Sequence, residues 1–267
     1  MNSFKEFEQN AWERKASLYE QGWGAVTSQA TARIIEIAQI VPGTKLLDIG
    51  CGPGHFCNLA NQKGAETTGC DLSKEMVQIA KNHYPAISFA AEDAENLTFL
   101  DSTFNVVTLN YLLLHVPNQK KVLLEAKRVL KNEGLLTFAL WQEPSKSAAL
   151  KLIFDSIKNF ADTSVIPPAD DLFQFARPET AKSFLAANGF IDFTATIVGT
   201  AWKTPSPESF FLSVLSGTRM GGTIELQEPE IREKIKSKIF GELEQFKTPT
   251  GYFIPMPSVI ICGRKSD

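Results

Sequence analysis

The sequence has no apolar run long enough to cross a bilayer. Its longest stretches, such as Gly134–Trp141, fall far short of the roughly 20 residues a membrane helix needs. The opening segment, MNSFKEFEQNAWERK, has no apolar core like that of a secretory signal, and its Glu residues argue against a transit peptide. Cysteine is scarce: Cys51, Cys57, Cys70 and Cys262 make no C-x-x-C pair and no regular framework. That pattern predicts reduced thiols in a cytoplasmic protein. Only three histidines are present, His55, His83 and His115, too dispersed in sequence to suggest a metal site, so no metal is expected. Net charge is also small. With 27 Lys and Arg against 30 Asp and Glu the formal charge is −3, which gives no sequence-independent pull toward nucleic acid or anionic lipid. There is no internal repeat or low-complexity tract.

What remains is a chain with 43% hydrophobic residues, enough for a substantial core in one large domain or a domain with an added subdomain. From Lys45 onward, strand and helix signals alternate. Lys45–Gly50, Glu66–Cys70, Ile87–Ala91, Phe104–Asn110 and Leu135–Leu140 read as short strands, with His55–Lys63, Lys74–His83 and Asn118–Lys131 as helices between them. Such alternation implies βαβ units and a parallel sheet covered on both faces, with ligands bound outside the carboxyl ends of the strands. Two helical segments precede this core, Phe4–Gln21 and Ala25–Ile40. After Trp141 come helices at Lys146–Phe160, Pro178–Asn188, Glu208–Ser216 and Glu230–Phe246, and strands at Ile191–Gly199 and Ser258–Gly263. The two late strands, joined without an ordinary crossover helix, predict an antiparallel edge. The expected division is an N-terminal helical lid (1–43), a Rossmann-like core (44–144), and a remainder (145–267) whose helical insertion caps the acceptor site.

The chemistry concentrates in Leu46–Phe56, LLDIGCGPGHF, a strand running into a turn with Gly50, Gly52 and Gly54 and then into a helix. Alone this is a weak signal, shared by dehydrogenases, flavoproteins and methyltransferases. Two details narrow it. The spacing is G-x-G-x-G, with His55 where the dinucleotide fingerprint wants Gly or Ala. Asp48 also stands at the strand's mouth, where a carboxylate repels a pyrophosphate and suits a cation such as S-adenosylmethionine. Asp71 closes the second strand and would accept hydrogen bonds from both ribose hydroxyls. Leu72 and Met76 would pack on the adenine, Asp93 would accept from its amino group, and the Ala94 N–H would reach a ring nitrogen.

The runs LLDIGCGPG, GCDLS, AEDAENLTF, FNVVTLNYLLLHVPN and RVLKNEGLLTFALW resemble class I S-adenosylmethionine-dependent methyltransferases, in particular the small-molecule enzymes of ubiquinone and menaquinone biosynthesis. The resemblance implies an α/β fold: a seven-stranded, mostly parallel Rossmann-like sheet with helices on both faces and an antiparallel last strand. It implies cofactor contacts at Asp48, Gly50, Gly52, Asp71, Leu72, Asp93, Ala94 and Asn110. Cys51 inside the turn joins this set, and so does Tyr19, where an N-terminal pattern resembling the group ends. The cofactor is S-adenosylmethionine and the product S-adenosylhomocysteine. Where the related enzymes read leucine-histidine-histidine after the fourth strand, this chain has Leu113-Leu114-His115 and keeps only the second histidine.

Methyl transfer from a sulfonium is an in-line displacement, so the protein chiefly aligns the partners and excludes water. A hydroxyl or ammonium acceptor must also lose a proton, and His115, at the ligand edge, is the candidate base. Its bland alternative is a structural hydrogen bond at a helix end. Trp141 either lines the acceptor pocket or packs beneath the inserted helices. The many phenylalanines after Trp141 predict an apolar roof and a small apolar or aromatic acceptor, with O-, C- and N-methylation all open. Three competing readings share parts of the pattern: a non-catalytic cofactor-binding protein, a nicotinamide-dependent oxidoreductase and a nucleic-acid methyltransferase. The last lacks its N/D-P-P-Y motif and a basic stripe. Neither nucleic acid nor membrane insertion is expected, and oligomeric state is not legible.

Overall fold

The computed structural model describes residues 3–267. In chain order its elements are α1 (Phe4–Tyr19), α2 (Ala25–Thr27), α3 (Thr31–Ile37), β1 (Lys45–Ile49), α4 (His55–Gln62), β2 (Glu66–Asp71), α5 (Lys74–His83), β3 (Ser88–Ala91) and β4 (Phe104–Asn110). They continue with α6 (Gln119–Val129), β5 (Leu130–Trp141), α7 (Ala148–Phe160), α8 (Pro178–Ala187), β6 (Phe190–Val198), β7 (Ala201–Thr204), α9 (Pro207–Leu215), α10 (Arg219–Glu225), α11 (Pro229–Leu243), β8 (Lys247–Thr248), β9 (Gly251–Pro255) and β10 (Ser258–Lys265). Side-chain caps set several helix starts. Ser3 and Glu6 close a capping box on α1, the Ser73 hydroxyl accepts from Met76 N–H at 3.2 Å, and Asn118 accepts from Lys121 N–H at 2.9 Å.

The chain divides into two compact units. One comprises Ala30–Trp141, Asp171–Val198 and Ser258–Asp267 and holds a seven-stranded sheet in the order β3-β2-β1-β4-β5-β10-β6. All neighbouring pairs are parallel except those made by β10, which runs antiparallel to both β5 and β6. Leu46, Leu47, Val107, Leu109, Leu136 and Phe138 of the central strands are fully buried, as a sheet covered on both faces requires. Strand order reverses beside β1, between β2 and β4, which makes the carboxyl ends of β1 and β4 the switch point.

The other unit comprises residues 3–29, Gln142–Asp170 and Gly199–Pro257. It is largely helical, with a small antiparallel sheet in the order β7-β9-β8. Trp202 packs edge-on against both Trp23 and Phe210, with ring centroids 4.7 and 5.0 Å away. Ile235, Ile239 and Leu243 supply the buried stripe of α11. Lys15 is buried, and its ammonium donates to the Leu215 and Gly217 carbonyls and pairs with Glu225 at 2.8 Å.

Several details differ from the sequence reading. The helix expected over Ala25–Ile40 breaks into α2, a 3₁₀ turn and α3. Thr27 and Ser28 turn their hydroxyls back onto the Gly24 and Ala25 carbonyls, competing with the helical ladder. The two late strands do form the antiparallel edge expected of them, with the later one, β10, on the inside between β5 and β6 and the earlier one, β6, outermost. Strands β7 and β9 were not legible, because AWKT and GYFIP are short and pair with each other about 50 residues apart.

Candidate active site

The glycine turn is built against the end of β2. The Cys70 carbonyl accepts from both Gly50 N–H at 2.7 Å and Cys51 N–H at 3.0 Å, and Asp71 Oδ2 accepts from Gly52 N–H at 2.9 Å. Gly50, Gly52 and Gly54 all have left-handed φ, at 73°, 52° and 84°. Their surroundings differ. A Cβ at Gly50 would strike Leu112 and one at Gly54 would strike Phe89, whereas one at Gly52 would meet nothing within 4 Å. Gly52 is therefore the point where backbone stands open to an approaching ligand.

Asp48 lies on β1 opposite Thr108 in register, and strand periodicity puts Asn110 on the same face two residues on. Thr108 Oγ1 and Asn110 Nδ2 both donate to Asp48 Oδ1, at 2.6 and 3.0 Å, while Cys57 Sγ lies 3.7 Å from Oδ2. The carboxyl is 1% exposed, beneath the turn and not at its surface. Burial outweighs these hydrogen bonds and pushes its pKa up to about 7. Among the described residues, nothing donates to Asn110 Oδ1, which is buried. The amide nitrogen pairs with the Asp48 carboxylate, which leaves the oxygen as the group without a donor. The switch point thus holds two acceptor groups and an unmet demand for a donor.

Of the remaining expected residues, Asp71 Oδ1 accepts from Ser73 N–H at 2.9 Å, so both its oxygens are oriented by backbone at the end of β2. Leu72 is half-buried and Met76 buried on α5. Asp93 and Ala94 follow β3, where Asp93 Oδ1 accepts from Glu95 N–H at 3.0 Å. Cys51 is a buried free thiol whose pKa is raised by its hydrogen bond with Cys57 and by burial, and burial pushes Cys57 up to about 11. His115 ends a 3₁₀ turn, Leu113–His115, after β4. Trp141 ends β5, 4% exposed, with its ring packed at a 32° tilt against Tyr111, centroids 4.1 Å apart. Tyr19 belongs to the helical unit, where its hydroxyl lies 3.1 Å from Thr27 Oγ1 and its ring meets Trp12 edge-on.

Three residues in this region escaped the sequence reading. Thr108 carried a signal, as a buried-strand polar residue two before Asn110 and so on the same face. Cys57, expected only to be a reduced thiol, also touches Asp48. Tyr111 carried no signal. It adopts φ 59°, rare for an aromatic residue, and its hydroxyl lies 2.8 Å from Ser258 Oγ.

The donor set fits the cofactor implied by the motifs. Asp48, Asp71, Asp93 and the unmatched Asn110 oxygen are all able to accept hydrogen bonds, as an ammonium, two ribose hydroxyls and an adenine amino group require. A diphosphate would instead meet carboxylates.

Comparison with known proteins agrees. Residues 47–138 match the family described as a methyltransferase domain. The ubiquinone biosynthesis O-methyltransferase of Coxiella burnetii is 32% identical over 162 residues, 59% of this chain and 68% of that one. The demethylmenaquinone methyltransferase of Renibacterium salmoninarum is 33% identical over 112 residues, 42% of this chain and 47% of that one. The chain spans about half the length of the demethylmenaquinone methyltransferases it matches. Among solved structures, the Haemonchus contortus phosphoethanolamine N-methyltransferase 2 in complex with S-adenosyl-L-methionine superposes with a TM-score of 0.60 at 18% identity, covering 100% of this chain and 61% of that one. Given the strand order, the glycine turn and these relatives, the chain belongs to the class I S-adenosylmethionine-dependent methyltransferases.

Proposed function

We propose that the protein transfers a methyl group from S-adenosylmethionine to a small, apolar or aromatic acceptor, yielding S-adenosylhomocysteine. The observation that carries this reading is the buried pair at the switch point: Asp48 and the unsatisfied oxygen of Asn110, two acceptors placed for a cationic amino-acid group. Asp48, Gly50, Cys51, Gly52 and Asn110 would hold that end, Asp71 the ribose, Leu72 and Met76 the adenine face, and Asp93 with the Ala94 N–H its edge. Tyr19 would close over the cofactor, with residues 1–43 as a lid and the insertion after β5 as a cap. When bound, the sulfonium supplies an already activated methyl group. The chain's own work is to orient the acceptor, exclude water and, for a hydroxyl or ammonium acceptor, take its proton at His115. Trp141 would wall the acceptor pocket. The relatives' names point to quinone precursors, but the missing first histidine before His115 argues for a different small molecule. Among the described residues, no helix is long and apolar enough to cross a membrane. We infer a cytoplasmic setting and no nucleic-acid partner from the reduced cysteines and the weak net charge.

Thermal unfolding tests the cofactor. At 100 times its dissociation constant S-adenosylhomocysteine should stabilise the native state by about 2.7 kcal/mol, visible as a shift of several degrees, while NADH leaves the transition in place. Stabilisation by NADH alone would overturn the proposal. Turnover is then read with labelled methyl donor and a metabolite panel. Once an oxygen or nitrogen acceptor is in hand, His115→Ala should lower kcat by about 100-fold with donor affinity unchanged. An unaltered kcat would reduce His115 to a turn residue.

A further inference from the structure

The segment between β3 and β4, residues 92–103, has no regular structure, yet it carries the two groups proposed to read the adenine edge. It is fastened along α6. Glu125 Oε2 accepts from Leu97 N–H at 2.9 Å, and Arg128 Nη2 donates to the Leu97 carbonyl at 2.9 Å, so one ion pair takes both polar groups of a single residue. The same guanidinium donates through Nη1 to the Phe99 carbonyl at 2.8 Å and to Asp101 at 2.7 Å, and through Nε and Nη2 to the two Glu125 oxygens at 2.9 and 2.8 Å. All five N–H donors are thereby used. Ser102 and Thr103 N–H bond to the Arg128 and Val129 carbonyls, and at the other end of α6 Asn118 N–H donates to Glu95 Oε1 at 2.9 Å. Leu97 itself is buried.

We propose that Arg128, with Glu125, is a positioning pair that sets the adenine-reading loop and thereby the selectivity of the site for adenine over its oxo analogue. This rests on the cofactor reading above. Among the described residues, the hydrogen bonds of the Arg128 guanidinium run to the loop and to Glu125. Arg128 fixes Leu97, three residues beyond Ala94, and the Asn96 N–H to Asp93 carbonyl bond at 2.8 Å, with the Asx turn from Asp93 to Glu95, ties that anchorage back to Asp93. A carboxylate held in place accepts from the 6-amino group of adenine and repels the 6-oxo group of hypoxanthine, whereas one on a slack loop withdraws from the mismatch. Lysine keeps the charge but cannot form the fork.

The test compares dissociation constants of S-adenosylhomocysteine and S-inosylhomocysteine for wild type and Arg128→Lys. The expected result is a roughly tenfold loss of affinity for the adenine ligand, a change of less than about threefold for the inosine ligand, and a donor KM that rises while kcat stays within about twofold. A residue that serves stability alone would weaken both ligands equally, and an unchanged ratio overturns the proposal. If Arg128→Lys does not fold, Glu125→Gln, which keeps one acceptor oxygen, is expected to narrow the ratio in the same direction, and an unchanged ratio there is equally decisive. Failure of the wild type to bind S-adenosylhomocysteine would instead refute the cofactor reading.

Discussion

Asp48→Asn should make the ligand-free protein more stable while costing it most of its affinity for S-adenosylhomocysteine. Asparagine keeps an oxygen for Thr108 and Asn110 but removes the cost of a buried charge. The folded carboxyl titrates near 7, above its ordinary value of 3.8. In that interval the native state holds more protons than the unfolded one, so this group's contribution to ligand-free stability falls as pH rises from about 4 through 7 and is constant above. A shift of that size corresponds to about 4 kcal/mol above pH 7, so at pH 8 the variant should melt at least about 5 °C higher. Affinity runs the other way. An ammonium on this carboxyl requires it ionised, so binding to the wild type should strengthen about tenfold between pH 6 and pH 7.5 and take up to one proton off the protein. The variant should bind about 100-fold more weakly, with no such slope. Calorimetry in two buffers of different ionisation enthalpy measures the proton directly. A pH-independent wild-type affinity would remove Asp48 from the ligand's surroundings.

Asp71→Ala is expected to weaken S-adenosylhomocysteine binding by about 100-fold or more. Two charge-assisted hydrogen bonds to ribose hydroxyls contribute about 1.5–3 kcal/mol each, and 1.4 kcal/mol is tenfold. The change also releases Gly52 N–H, which Asp71 Oδ2 holds at 2.9 Å, so the open face of the turn loses its anchor. Asp71→Asn should recover part of the loss, because its remaining oxygen accepts one of the two hydroxyls. Equal affinities of wild type and alanine variant, by titration calorimetry, would place the ribose elsewhere.

The half of the candidate site proposed for the cofactor could be located in the sequence because its residues are set by chain-local geometry. Asp48, the three glycines and Asp71 each sit at a strand end that alternating patterning locates, and parallel register then carries Asp48 to Thr108 and Asn110. The acceptor half was not. Trp141 could be placed at the end of β5 from sequence, but not its packing against Tyr111, whose left-handed backbone has no compositional marker. The interleaving of two units was equally hidden. Lys15 reads as a solvated helix residue until its carbonyl partners, some 200 residues later, are known. The buried charge of Asp48 was visible as a residue type, but its depth was not, since exposure depends on what the turn folds over.

The place of β10 has a kinetic consequence. β6 joins the large sheet through β10 alone, and β10 pairs Ser258 with Trp141, 117 positions earlier in the chain. The first five strands can zip together from neighbouring βαβ pieces, with short loops to close, whereas the final ladders must close loops of very different span. Refolding should therefore proceed in two stages, an early parallel half and a late insertion during which β5 shows an open flank to solvent, and that waiting intermediate is where self-association competes with completion.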